Sequence, residues 1–224
     1  MKRHKGIILV LLVTAMLFCR NIYAHEIVGE VTALMMHMQN ILSLIESNKI
    51  DDAFHETGMV FEDFSHSMGM GMKMEGIGLK STSDDIDKRY NTNIGKKIEV
   101  GFKKRDHDGL MSGLQSLGFL LMLEKFDVLQ SGFDKKDNGL DVQKTIFWLG
   151  RNYFSYLLEP ALAKKNPVEA QRLDRILDSM LYRLEDRRFG EFIELRVEFE
   201  KGVIKAFKLG LNPVSSPNKG GTAK

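Results

Sequence analysis

The sequence predicts an all-α protein, an antiparallel bundle of four or more helices built from helical hairpins. Apolar residues recur at intervals of three and four through most of the chain, which is the periodicity of an amphipathic helix. Short polar turns with helix-capping residues separate these segments, and no segment alternates apolar and polar residues as a half-buried strand does. Helices joined by short turns pack most simply as up-and-down neighbours.

The first 24 residues predict a signal peptide. A cationic start at residues 1–5 precedes an apolar run at 6–18, which has the length of a secretory h-region and is too short to cross a bilayer comfortably. Ala24 is a suitable small residue for cleavage, so the mature chain is expected to begin at His25. An uncleaved membrane anchor is the alternative. The mature protein is therefore predicted to be periplasmic, secreted across the inner membrane, without a transmembrane helix.

The net charge and the cysteine content bear on which partners and which covalent cross-links the mature chain can have. Four of the 32 basic residues lie in the predicted signal peptide, and the remainder of the chain has a net charge of −2. This balance does not favour nucleic acid or an anionic membrane as a partner. The single cysteine, Cys19, also lies in the signal peptide, so the mature chain is expected to have no thiol or disulfide and to depend on its core for stability.

Two helices are predicted before the first glycine-rich segment. Apolar residues at helical spacing mark the first helix between about residues 26 and 48. Asn48 is expected to cap a second helix, with Phe54, Phe61 and Phe64 along its apolar side. The glycines from position 69 onward are expected to end it.

Two further helices are predicted in the middle of the chain. A capping cluster at 81–85 precedes a third helix, in which apolar residues spaced by four continue to about Lys104. A turn at 105–108 then starts a strongly apolar fourth helix, whose long apolar face suggests a central position.

Three helices are predicted in the last third of the chain. The fifth follows a polar connection at 131–139 and contains Trp148, and Pro160 is expected to kink it, to end it or to start a new turn. Asn166 and Pro167 mark the start of the sixth, and a seventh runs from about residue 189 to 209. A single helical domain is thus predicted over 25–210, followed by a disordered tail at 211–224.

Methionine is unusually concentrated in one part of the chain. Eight of the thirteen methionines fall between positions 35 and 74, and four of them alternate with other residues directly after His66, at positions 68, 70, 72 and 74. Thioethers suit Cu(I) better than hard ions, and imidazole suits Cu(I), Cu(II) and Zn. Alternate residues of an extended segment fall on one side, so these sulfurs could converge on one ion. The pattern resembles the metal-binding segments of exported copper-handling proteins.

Other candidate ligands lie outside this run. His55, Met59, Glu62 and His66 are spaced by four, three and four, which predicts one stripe of the second helix. His25, if it begins the mature chain, could chelate Cu(II) through its α-amino group and imidazole. The complete set of predicted metal ligands is His66, Met68, Met70, Met72, Met74, His55, Met59, His37 and His25.

Two functions follow from these observations. The first is an exported helical protein that binds copper, with Cu(I) favoured and iron as the second choice, and that stores or delivers the metal. The second is a non-catalytic scaffold or interaction module for a periplasmic protein or a transport or respiratory complex, in which the methionines form an adaptable hydrophobic connector. Sequence motifs for covalent haem, nucleotide phosphate or a zinc protease helix are absent, and no catalytic residue is predicted.

Overall fold

The computed structural model describes residues 33–68, 72–133 and 139–211, with backbone only at 66–68 and 72–75. Helices make up most of this part of the chain, which confirms the all-α class, and one two-stranded sheet accompanies them. The elements are α1 (33–46), α2 (Ile50–Val60), β1 (Phe64–Met68), β2 (Met72–Gly76), α3 (Leu79–Tyr90), α4 (Ile94–Lys104), α5 (His107–Ser131), α6 (Leu140–Tyr153), a π-helical turn (Phe154–Leu158), α7 (Glu159–Lys165), α8 (Pro167–Glu185) and α9 (Phe189–Phe207).

Helix α5 forms the centre of the described core. Every residue from 113 to 123 is buried, so this part of the helix is covered on all sides by its neighbours. It contacts α3, α4, α6 and the π-helical turn. Asp106 caps its start, accepting a hydrogen bond from the Gly109 N–H at 3.0 Å. The predicted fourth helix and its restart at 105–108 are therefore confirmed.

The predicted third helix is wrong in one respect, because it is two helices. Asn91 adopts a left-handed conformation with φ of 51° and ends α3. The Asp87 carboxylate then accepts hydrogen bonds from the N–H groups of Ile94 (2.7 Å) and Gly95 (2.8 Å), which are the first turn of α4. The expected capping cluster at 81–85 lies inside α3, whose N-cap is Gly78.

The three helices predicted in the last third of the chain correspond to α6, α8 and α9, and α7 is an additional short helix at Pro160. A π-helical turn follows α6 directly and leads into α7, and Pro160 lies in the first turn of α7. The Asn166 side chain accepts from the N–H of Glu169 at 3.1 Å and caps α8. Helix α9 packs along α8.

The second predicted helix ends earlier than expected. Helix α2 stops at Val60, and a bend at 61–63 leads into a β-hairpin that the sequence did not predict. Phe61 stacks on Phe102 with ring centroids 5.1 Å apart, whereas Phe64 is buried at the start of β1. Asn48 does not cap α2: it has φ of 58° in the turn after α1, and Lys49 occupies the N-cap position.

In the described part of the chain, no helix is both long and apolar enough to cross a membrane. The predicted signal peptide and the predicted C-terminal tail lie outside the described residues, apart from Leu211.

Candidate functional site

The methionine-rich segment forms the two strands of the hairpin. Strands β1 and β2 pair antiparallel, and the backbone register places Phe64 opposite Gly76, His66 opposite Met74, and Met68 opposite Met72. Opposed positions and alternate positions of an antiparallel ladder belong to the same face. Positions 64, 66, 68, 72, 74 and 76 therefore share one face of the hairpin.

Two hydrogen bonds join the segment before β1 to the segment after β2 at the base of the hairpin. The Gly78 N–H donates to the Asp63 carboxylate at 2.9 Å, and the Lys80 N–H donates to the Phe61 carbonyl at 2.9 Å. The hydrogen bond from Gly78, with a further one from Ser81, lowers the pKa of Asp63 because both favour the ionised carboxylate. A side chain at position 78 would collide with the Glu62 backbone, since a Cβ there would lie 2.2 Å from the Glu62 carbonyl oxygen.

Phe64 joins the hairpin to α1. Its ring is buried and packs edge to face against the His37 imidazole, with ring centroids 5.1 Å apart. On the other strand, a Cβ at Gly76 would lie 2.5 Å from this ring, so glycine is needed opposite Phe64. The hairpin face that carries the His66 and Met74 positions is thus the face that meets α1 at His37.

His37 is also fixed from α2. Its Nδ1 lies 2.5 Å from Oε1 of Glu56, which is 19 residues away in sequence. The two side chains are only 17% and 13% exposed. This hydrogen bond joins α1 to α2.

The other predicted ligands are placed differently. His55 and Met59 lie on exposed positions of α2, and the predicted stripe that continues them to Glu62 and His66 is wrong because α2 ends at Val60. His66, Met68, Met72 and Met74 are described by their backbone positions in the ladder, and His25 and Met70 lie outside the described residues.

The methionines of α1 divide between core and surface. Met35 and Met38 are buried in the core, and Met36 is 53% exposed. At least two of the three methionines around His37 therefore serve packing.

The described helices do not offer a site of hard donors. Within residues 33–68, 72–133 and 139–211, no group of three or more histidine, cysteine, aspartate or glutamate side chains is placed to hold a metal ion.

A buried polar network was not anticipated from the sequence. Arg196, on α9, donates to Glu200 (2.6 Å), to Gln130 (2.9 Å) and to Asp127 (2.5 Å), and the Tyr90 hydroxyl donates to the same aspartate at 2.7 Å. Burial and this last hydrogen bond raise the pKa of the Tyr90 hydroxyl. The network ties α3 and α5 to α9.

The sequence of α9 contains one pattern that indicates this buried network. Arg196 lies between Phe192 and Phe199 at the helical spacing of the apolar stripe, so a charged residue occupies a core position.

One surface cleft of about 280 Å³ lies where α1, α5 and α7 meet. Its apolar residues are Ile45, Met111 and Ala161, and its polar residues include His107 and Lys165. His107 is the first residue of α5. None of the residues that line the cleft belongs to the methionine-rich hairpin or to the set of predicted metal ligands.

Comparison with known proteins returns no relative: no family model, no curated protein and no solved structure matches this chain.

Proposed function

We propose that the protein binds a soft metal ion, Cu(I) before iron, through the methionine-rich hairpin, and that it stores or delivers the ion without catalysing a reaction. The observation that carries this proposal is the register of the hairpin. It sets His66 opposite Met74 and Met68 opposite Met72 on one face.

The register supports convergence of the donors. Opposed Cα atoms of an antiparallel ladder are about 4.5–5.5 Å apart, and positions two apart along a strand are separated by about 7 Å. The side chains of three methionines and one histidine are therefore attached to a patch of backbone that measures about 5 Å by 7 Å. Methionine is long and flexible, so several sulfurs that originate so close together can reach a common ion.

The donor chemistry supports a soft ion. Thioether sulfur is a neutral, polarisable donor and favours Cu(I) over hard cations. The described helices lack a cluster of three hard donors, which argues against a di-iron bundle site in that part of the chain. His37 contacts Phe64, whose register position shares the same hairpin face.

The cellular setting forms part of the proposal. Residues 1–24 act as a signal peptide that is cleaved after Ala24, the mature protein is periplasmic, and its helices pack as an antiparallel bundle around α5. Methionine is a suitable copper ligand there, because an isolated thiol would be oxidised in such a compartment.

A competition titration tests the proposal. The purified protein is titrated with Cu(I) against a chromogenic chelator under reducing conditions, beside a variant in which Met68, Met70, Met72 and Met74 are all changed to isoleucine. We expect stoichiometric binding that the variant loses. A Met36→Ile variant is the matched control, because Met36 is an exposed methionine of α1 outside the hairpin. Equal binding by all three proteins, or by none, would contradict the proposal.

A second candidate function rests on a different surface. Trp148 is 43% exposed on α6, with the Arg151 guanidinium 5.1 Å from its ring, and Tyr182 is 55% exposed on α8 with Arg183 at 5.3 Å. Exposed tryptophan, tyrosine and arginine are the residue types enriched at protein interfaces. An interaction module would bind its partner at this surface. Binding of the partner would then not change when the four hairpin methionines are replaced.

A further inference from the structure

We infer that the cleft between α1, α5 and α7 binds a small organic monocarboxylate, with the carboxylate at Lys165 and the apolar body of the ligand inside the cleft. This inference goes beyond the proposed function and does not rest on it, because none of the residues that line the cleft belongs to the methionine-rich hairpin. The two proposals can therefore fail independently of each other.

Three helices bring the lining residues to one place. On α5, His107 and Met111 are four residues apart, and on α7, Ala161 lies four residues before Lys165. Residues at this spacing lie on the same side of a helix. Each of these two helices therefore presents one apolar side chain and one side chain that can carry positive charge. Ile45, near the end of α1, adds a further apolar side chain.

The apolar floor of the cleft consists of Ile45, Met111 and Ala161. Ile45 and Ala161 are buried, and Met111 is partly buried against the core. The cleft volume of about 280 Å³ is near the lower end of the range for small-molecule pockets, about 300–1,000 Å³. This size suits a short aliphatic chain or a single ring rather than a large cofactor.

The charged residues of the cleft are paired with one another except for Lys165. Glu46 of α1 pairs with Lys164 of α7. Asp108 contacts the His107 imidazole, with its Oδ1 3.1 Å from Nδ1. Lys165 is exposed and has no ion-pair partner among the residues that the structure describes. One lysine without a partner matches the single negative charge of a monocarboxylate.

This charge balance favours an anionic ligand over a cationic one. A ligand ammonium group would compete with Lys164 for the Glu46 carboxylate and would lie close to the positive charge of Lys165. A carboxylate at Lys165 breaks no existing ion pair. The start of α5 adds to this preference, because the partial positive charge at a helix N-terminus favours a negative group.

A titration with a series of small probes tests the site. The ¹⁵N-labelled protein is titrated with acetate, butyrate and hexanoate, and separately with hexylammonium, while the backbone amide shifts are followed. We expect saturable shifts at the segments of α1, α5 and α7 that line the cleft. Each methylene that enters the cleft should strengthen binding by up to about fourfold, which corresponds to about 0.8 kcal/mol. Hexylammonium should bind about fivefold or more weakly than hexanoate.

Two substitutions separate the charge from the apolar floor. Lys165→Gln keeps a long polar side chain but removes the charge, and it should weaken hexanoate binding about two- to fivefold. Met111→Gln makes the floor polar and should remove most of the gain in affinity with chain length. Lys88→Gln is the matched control, because Lys88 is an exposed lysine of α3 outside the cleft, and hexanoate binding should not change.

Saturable hexanoate binding at the cleft that weakens in Lys165→Gln would support the inference. Hexanoate shifts that do not saturate, or that lie elsewhere on the protein, would overturn it. Equal affinity for hexylammonium and hexanoate would also overturn it, and so would unchanged hexanoate binding in Lys165→Gln. If a variant does not fold, the probe series on the unmodified protein decides. No metal is present in these titrations, so their outcome leaves the proposed function untouched.

Discussion

Replacement of Arg196 by methionine should strongly destabilise the fold. Arg196 is 4% exposed, and its guanidinium donates to Glu200, which is 1% exposed, and to Asp127. Methionine preserves much of the apolar volume of the side chain but removes the positive charge and all of its donors. The carboxylate of Glu200 would then remain in the core without its arginine partner.

The magnitude follows from the burial of this pair. Removing one member of a buried ion pair costs roughly 3–5 kcal/mol, because the remaining charge keeps its desolvation penalty. The total stability of a domain is about 5–15 kcal/mol, so the loss is a large fraction of it. A second change should partly reverse the effect: Arg196→Met with Glu200→Leu also removes the buried carboxylate and should be more stable than Arg196→Met alone.

Equilibrium unfolding in urea, followed by circular dichroism at the helical band, measures these free energies. Lys88→Met is the control, because Lys88 and Asp85 form an ion pair at 3.5 Å with both side chains about four-fifths exposed, and its loss should change little. A loss below about 1 kcal/mol in Arg196→Met would refute the reasoning, because a buried charge network cannot be removed so easily.

Three other perturbations follow from the structure. Burial raises the pKa of Tyr90, so the unfolded state loses the hydroxyl proton at a lower pH than the folded state does. The free energy of unfolding should therefore fall as pH rises above about 10. Urea titrations of Tyr90→Phe should show a smaller fall in that free energy over the same pH range. Asp63→Ala removes the acceptor for the Gly78 N–H, and hydrogen exchange at Gly78 should accelerate while α5 amides stay protected. Gly101→Ala would place a Cβ 2.6 Å from the Leu110 backbone nitrogen, and the melting temperature of the variant should fall by several degrees. An unchanged melting temperature would contradict this close contact between α4 and α5.

Helices with local start and stop signals could be predicted from sequence. Asn166 and Pro167 determine the start of α8 through contacts within four residues, and Asp106 does the same for α5. These signals are local, so the sequence pattern contains them. The long apolar run of α5 likewise predicts a helix that is buried on all sides.

The break between α3 and α4 was missed because the periodicity runs through it. Tyr90 and Ile94 are four residues apart, as they would be in one continuous helix. The competing interaction is the Asp87 carboxylate, which accepts from the N–H groups of Ile94 and Gly95 and stabilises a new helix start. Left-handed Asn91 provides the turn.

The hairpin was missed for a related reason, and part of the site with it. Phe61 and Phe64 are three residues apart, which fits a helix, but each packs against a different distant partner, Phe102 and His37. The contact between His37 and Glu56 spans two helices, so spacing alone cannot show it. The metal ligands named from the sequence stay predictions, and tertiary contacts determine how the described ones are arranged.

The most direct test of the central claim is a titration of the ¹⁵N-labelled protein with Ag(I), a diamagnetic substitute for Cu(I), followed through backbone amide and methionine methyl shifts. We expect saturable changes concentrated at residues 64–76 and at His37, with the methionine methyls of the hairpin shifting together. Changes spread over exposed methionines such as Met36, or the absence of any change at the hairpin, would contradict it.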